Sequence, residues 1–91
     1  MTGEPDIVVR EAEGGWVAIV RVHGPTPTTH EVRVGRAERE RYGGGDVTYL
    51  VRRAFTFLLA REPNTAILRR FDLGDIERYF PEFVKEFGPA R

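Results

Sequence analysis

Two histidines, His23 and His30, flank a Gly-Pro-Thr-Pro segment, and imidazoles at the mouth of a hairpin can hold a metal when a carboxylate such as Glu31 stands beside them. Strand geometry opposes that use. Side chains alternate across a strand, so with Val20 opposite Val32, His30 falls opposite Val22 while His23 points to the other face. The pair reads as ordinary edge or cross-strand histidines. Gly43, Gly44 and Gly45 precede a helix as a phosphate cradle would, yet neither the G-x-x-x-x-G-K-[ST] nor the G-x-G-x-x-G pattern is present. Asp46 stands where the anion would sit and repels it, which leaves a flexible glycine linker followed by a helix cap. Asp72 with Asp75, and Glu82 with Glu86, are carboxylate pairs at helical spacing, and caps and solvated faces account for them without acid–base chemistry. The chain has no Ser or Cys, so a nucleophile would have to be a threonine, and none lies near a His and an acid in a strand-turn-helix context. No catalytic, cofactor-binding or metal-ligating set is expected.

The cations are the other candidate chemistry. Arg52, Arg53, Arg61, Arg69 and Arg70 occupy three consecutive elements whose spacing suggests helix-turn-helix, and residues 47–71 hold only Glu62 against them, a net of +4. Contact with nucleic acid through Arg52, Arg53, Arg69 and Arg70 is therefore one expectation. The totals disfavour it, because 14 basic and 14 acidic residues cancel and Asp72, Asp75 and Glu77 follow closely. Thirteen of the 14 cations are Arg, a residue suited to bidentate carboxylate or phosphate contacts, but a genome's base composition explains such usage as well. A charged, solvated helix face is the simpler account.

Ninety-one residues are enough for one domain and one hydrophobic core. An apolar fraction of 41%, a charged fraction of 31% and ten aromatics describe a globular chain rather than a disordered one. The lack of cysteine suits a reducing compartment, Met1 to Asp6 have no signal-peptide character, and nothing approaches the roughly 20 apolar residues of a membrane span. A cytoplasmic protein without membrane attachment is expected.

The elements follow from periodicity. Residues 7–11 are β-branched and precede Glu13-Gly14-Gly15, a hairpin turn. Residues 16–23 form a stronger strand that Pro25 and Pro27 must end, and residues 29–35 alternate polar and apolar with period two. Setting Val20 opposite Val32 gathers Ala18, Val20, Val22, Val32 and Val34 on one face and puts Arg21 against Glu31, whereas the register with Arg21 against Arg33 opposes like charges. Residues 36–42 can make one or two helical turns. Asp46 caps a main helix over 47–62 that Pro63 ends, with Val47, Leu50, Val51, Ala54, Phe55, Phe57, Leu58 and Leu59 spread over about 200° of it. Asn64 is expected to cap a short turn over 65–70, and Asp72 a further helix over 73–87. Leu73, Ile76, Phe80, Phe83 and Phe87 form its stripe, with a kink or a fresh turn at Pro81.

The run from Ala54 to Phe83, A-F-T-F-L-L-A-R-E-P-N-T-A-I-L-R-R-F-D-L-G-D-I-E-R-Y-F-P-E-F, preceded by T-H-x-V-x-V at Thr29 to Val34, resembles a family of short, uncharacterised prokaryotic proteins. The resemblance covers about two thirds of the chain and implies an ordered domain; it carries no activity and no functional residues.

The expected architecture is α+β: a two- or three-stranded antiparallel sheet over residues 7–35, packed by the 47–62 helix and closed by short helices over 65–70 and 73–87. Residues 1–91 form one domain, with 1–6 and 88–91 frayed and 43–45 a flexible linker. The expected function is a non-catalytic protein-interaction or regulatory module with an unidentified protein partner. A weak homodimer through Val17 and Ile19 on the sheet's outer face is one form of it, and an antitoxin-like or nucleic-acid-binding regulator is the alternative.

Overall fold

A computed structural model describes residues 4–87. The elements run β1 (Asp6–Ala12), β2 (Gly15–Val22), β3 (Thr28–Gly35), α1 (Arg36–Arg41), α2 (Val47–Leu59), a 3-10 turn (Asn64–Ala66), β4 (Arg70–Asp72), α3 (Asp75–Tyr79) and α4 (Phe83–Phe87). The fold is α+β. Its sheet has four strands in the order β1-β2-β3-β4, antiparallel except for the parallel β3–β4 pair, where two or three antiparallel strands were expected. Asp6, inside the expected frayed end, already pairs with Arg21 in the ladder, while residues 1–3 and 88–91 lie outside the described residues.

Glu13 and Gly14 turn β1 into β2, and Gly15 opens β2 directly opposite Gly35. Gly15 is required by close approach: a Cβ there would collide with the Val34 carbonyl oxygen. The β2–β3 register differs by two residues from the expected one. Ala18, not Val20, faces Val32; Val20 faces His30, and Arg21 faces Thr29. Pairing Val22 with Thr28 leaves residues 23–27, and with them both prolines, outside the ladder. An even shift preserves the faces, so Ala18, Val20, Val22, Val32 and Val34 all remain in the core.

The connection from β3 back to β4 carries α1, the glycines and α2. Gly43, Gly44 and Gly45 have φ of 112°, 69° and 81°, a left-handed run open to glycine, and they are hydrogen-bonded through Gly44 N–H to Arg39 O and Arg39 Nε to Gly45 O, each 2.7 Å. The Asp46 side chain then accepts from Thr48 N–H at 3.2 Å, the expected cap of α2. The regular helix ends at Leu59 and helical bonds taper through Arg61 and Glu62 onto Leu58 O before Pro63. All of its expected apolar positions except the half-buried Leu59 are buried.

The segment 65–70 is not helical beyond its 3-10 turn, and Asn64 does not cap that turn: its amide reaches Thr26 O and Thr28 Oγ1 at 2.8 and 2.9 Å. Arg70–Asp72 instead pairs with β3, held by Glu31 N–H to Arg69 O and Leu73 N–H to Arg33 O. Asp72 consequently lies in a strand and does not cap a helix; its outward carboxylate accepts from Arg33 Nε at 2.7 Å, and its own N–H donates to Asp75 Oδ2 at 3.0 Å. The expected 73–87 helix is two short helices, because Phe80, before Pro81, takes an extended φ of −133° and ψ of 84°.

The helices cover one face of the sheet. Phe57 packs edge-on against Phe80 and Phe83, with ring centroids 5.9 and 5.1 Å apart, so the second side of α2 is closed by the C-terminal segment. Leu73, Ile76 and Phe83 are buried as expected; the side chain of Phe87 lies outside the described part. Glu38 ties α1 to the turn before α3, one oxygen accepting from Gly35 N–H and the other from Gly74 N–H, both at 2.9 Å. Arg41 grips Glu77 through both carboxylate oxygens and Tyr42 Oη donates to the same group at 2.7 Å, which holds the Glu77 carboxyl below its ordinary value.

Candidate functional site

The histidines at the β2–β3 loop are separated by the sheet. His23 is exposed and meets Asp6 at 2.9 Å, whereas His30 is fully buried under α2, its ring 5.4 Å from that of Phe55. The loop side chains do not converge, and no group of three or more His, Asp or Glu suited to a metal occurs among the described residues.

His30 closes a directed hydrogen-bond chain. The Leu68 carbonyl, 2.7 Å from Nδ1, can only accept, so Nδ1 carries the proton and Nε2 accepts from Thr28 Oγ1–H at 2.8 Å. Thr28 Oγ1 in turn accepts from the Asn64 amide at 2.9 Å. Burial lowers the pKa of the ring, and the Arg69 charge acts the same way, against the opposing effect of the bond to Leu68. Every donor and acceptor of a neutral imidazole is satisfied, which makes the ring a strut between β3 and the loop before β4. The separation of His23 from His30 is legible from strand alternation, but their burial difference is not, because Asn64 and Leu68 come from distant sequence.

The four arginines are split between opposite sides of the sheet. Arg52 and Arg53 lie on α2: Arg52 bonds Glu4 at 3.1 Å and Pro5 O at 3.0 Å, and Arg53 lies over the Tyr49 ring. Arg70 belongs to β4, on the face without helices, next to Glu31, and Arg69 is exposed just before it. Arg52 and Arg53 are thus set apart from Arg69 and Arg70, and α3, five residues long, buries Ile76.

The outer face is where the expected contact residues lie. Val17 and Ile19 both point there, but Val17 is only 8% exposed between Arg10 and Arg33, its cross-strand neighbours, while Ile19 is 37% exposed. Val8, directly opposite Ile19 on β1, is 68% exposed and was not singled out by the sequence pattern because β1 is the weakest strand. A row Val8–Ile19–Glu31–Arg70 therefore crosses the open face, flanked by Asp6, Arg21, Arg10 and Arg33. A separate apolar groove of about 390 Å³ lies between the end of α2, the loop before β4 and α3, floored by Leu58, Ile67, Phe71 and Ile76, with Leu68 and Tyr79 exposed beside it. No helix is long and apolar enough to cross a membrane among the described residues. Comparison of the chain with protein-family models, with curated proteins and with solved structures found no match in any of the three.

Proposed function

We propose that the protein is a small, non-catalytic interaction module of the cytoplasm that works through the open side of its sheet. The observation that carries this reading is the one-sided cover: all helices pack on one face, and the other leaves Val8 68% and Ile19 37% exposed in one cross-strand row bordered by charges of both signs. Support also comes from the polar groups of the interior. His30, Thr28 and Asn64 spend their hydrogen bonds on one another and on backbone, and no buried side-chain polar atom lacks a partner among the described residues, so they act as structure rather than as reactive groups.

The test is affinity capture from the native host with wild type, Ile19→Lys and Arg69→Glu/Arg70→Glu, each first shown to be folded by circular dichroism. A specific protein set, or the chain itself, retained by wild type and lost with Ile19→Lys supports the reading. Nucleic acid captured by wild type, released steeply with salt and lost with the double arginine variant would replace it with the alternative regulator.

A further inference from the structure

β1 is an edge strand seven residues long, and its outward backbone groups have no neighbour in the sheet. Such edges are templates for further pairing unless the sequence opposes it. The side chains of β1 are arranged symmetrically about Val8. On the outer face Asp6 and Arg10 lie two residues to either side with opposite charge, and on the core face Ile7 and Val9 lie one residue to either side, both apolar and both half-buried. Arg10 has no ion-pair partner among the described residues.

We propose that β1 pairs antiparallel with β1 of a second copy of this chain, Val8 opposite the partner's Val8, extending the sheet to eight strands. This rests on the interaction reading above and names its partner. In this register Asp6 faces the partner's Arg10 and Arg10 faces the partner's Asp6, while Ile7 and Val9 exchange contacts on the core side. The row Ile19–Val8 on the outer face becomes continuous with the same row of the partner subunit. The neighbouring registers are poorer. A one-residue slip sets outer-face residues against core-face ones, and centring on Val9 puts Ile7 against the partner's Glu11 and Val8 against the partner's Arg10. Centring on Ile7 sets Asp6 against the partner's Val8. A two-fold axis at Val8 is the arrangement that satisfies both faces at once.

The experiment is sedimentation equilibrium over a range from about 1 to several hundred micromolar, a span suited to a small interface. Wild type is expected to pass from monomer to dimer. Asp6→Arg and Arg10→Asp each set like charges together at both ends of the interface and are expected to weaken association by about tenfold or more. A mixture of the two single variants restores both opposite-charge pairs in a heterodimer and is expected to recover association, as is the doubly swapped chain. Because the chain has no cysteine, Val8→Cys introduces a single thiol on the axis, and mild oxidation is expected to yield a disulfide dimer where Ile19→Cys does not. A monomer at every concentration overturns the proposal, as does a dimer indifferent to the charge swaps. Either result leaves the broader interaction reading to the Ile19-dependent capture, which fails or succeeds separately.

Discussion

Replacing His30 by Ala removes the one buried ring that is polar on both sides. The loss combines an aromatic-sized cavity beside Phe55 with two stranded partners, the Leu68 carbonyl and the Thr28 hydroxyl. Large-to-small changes of this size cost about 3–5 kcal/mol, and a chain of this length has roughly 5–13 kcal/mol of stability in all, so the variant is expected to be marginal. The milder Thr28→Val keeps the volume but leaves Nε2 without its donor and is expected to cost about 1–3 kcal/mol. The assay is urea unfolding, read as a shift in midpoint, at pH 7.5 and again at pH 5.5. The folded ring resists protonation, so below the ordinary value of 6.5 the unfolded chain binds a proton that the folded one refuses. Stability is thus full above that pH and falls as pH drops through it, levelling only below the depressed folded value. His30→Gln lacks this titration and is expected to lose that part of the slope. An NMR tautomer assignment with the proton on Nε2, or equal pH slopes for wild type and His30→Gln, would refute the strut.

Leu58→Ala, at a site 3% exposed, is expected to cost about 2–5 kcal/mol and Phe57→Ala a comparable amount, against about 0–1 for Arg52→Ala at its exposed ion pair; equal denaturation midpoints for Leu58→Ala and Arg52→Ala would contradict the face assignment of α2. Gly15→Ala drives a Cβ into the Val34 carbonyl and is expected to destabilise by about 1–3 kcal/mol or more, whereas Gly14→Ala meets no neighbour and is strained only by its backbone; calorimetric melting compares the two. Glu77, held ionised by Arg41 and Tyr42, contributes stability above the ordinary carboxylate range that is lost as pH falls through its lowered folded value, and Glu77→Gln is expected to remove that acid-limb contribution in pH-dependent unfolding.

What the sequence disclosed and what it hid have a common physical basis. The main helix was legible because Asp46, the apolar arc and Pro63 are local signals that agree with one another. β4 was not, because three residues are too few to show a period, and Ile67 and Leu68 just before it read as well on a helical face. That omission also explains the register. Within the hairpin alone Arg21 is a cross-strand partner for Glu31, a pair worth about 0.2–1 kcal/mol; in the structure Glu31 lies beside Arg70, and Arg33 bonds Asp72, both on β4. Once β4 supplies those charges, Glu31 no longer needs Arg21, and the observed register sets Arg21 between Asp6 of β1 and Thr29 of β3.

The same logic separates the two candidate surfaces. Val17 and Ile19 stand on the expected face, yet a residue's value for contact depends on its exposure there, and Val17, between its cross-strand partners Arg10 and Arg33, is buried. Val8 has Ile19 on one side and, at the sheet edge, nothing on the other, which makes it the most exposed aliphatic side chain of the face. An isolated exposed valine is unremarkable on any protein. What gives this one meaning is its place at the centre of a strand whose charges are opposite and equidistant from it, since a two-fold axis there turns Asp6 and Arg10 from charges that guard an edge into charges that select an identical edge.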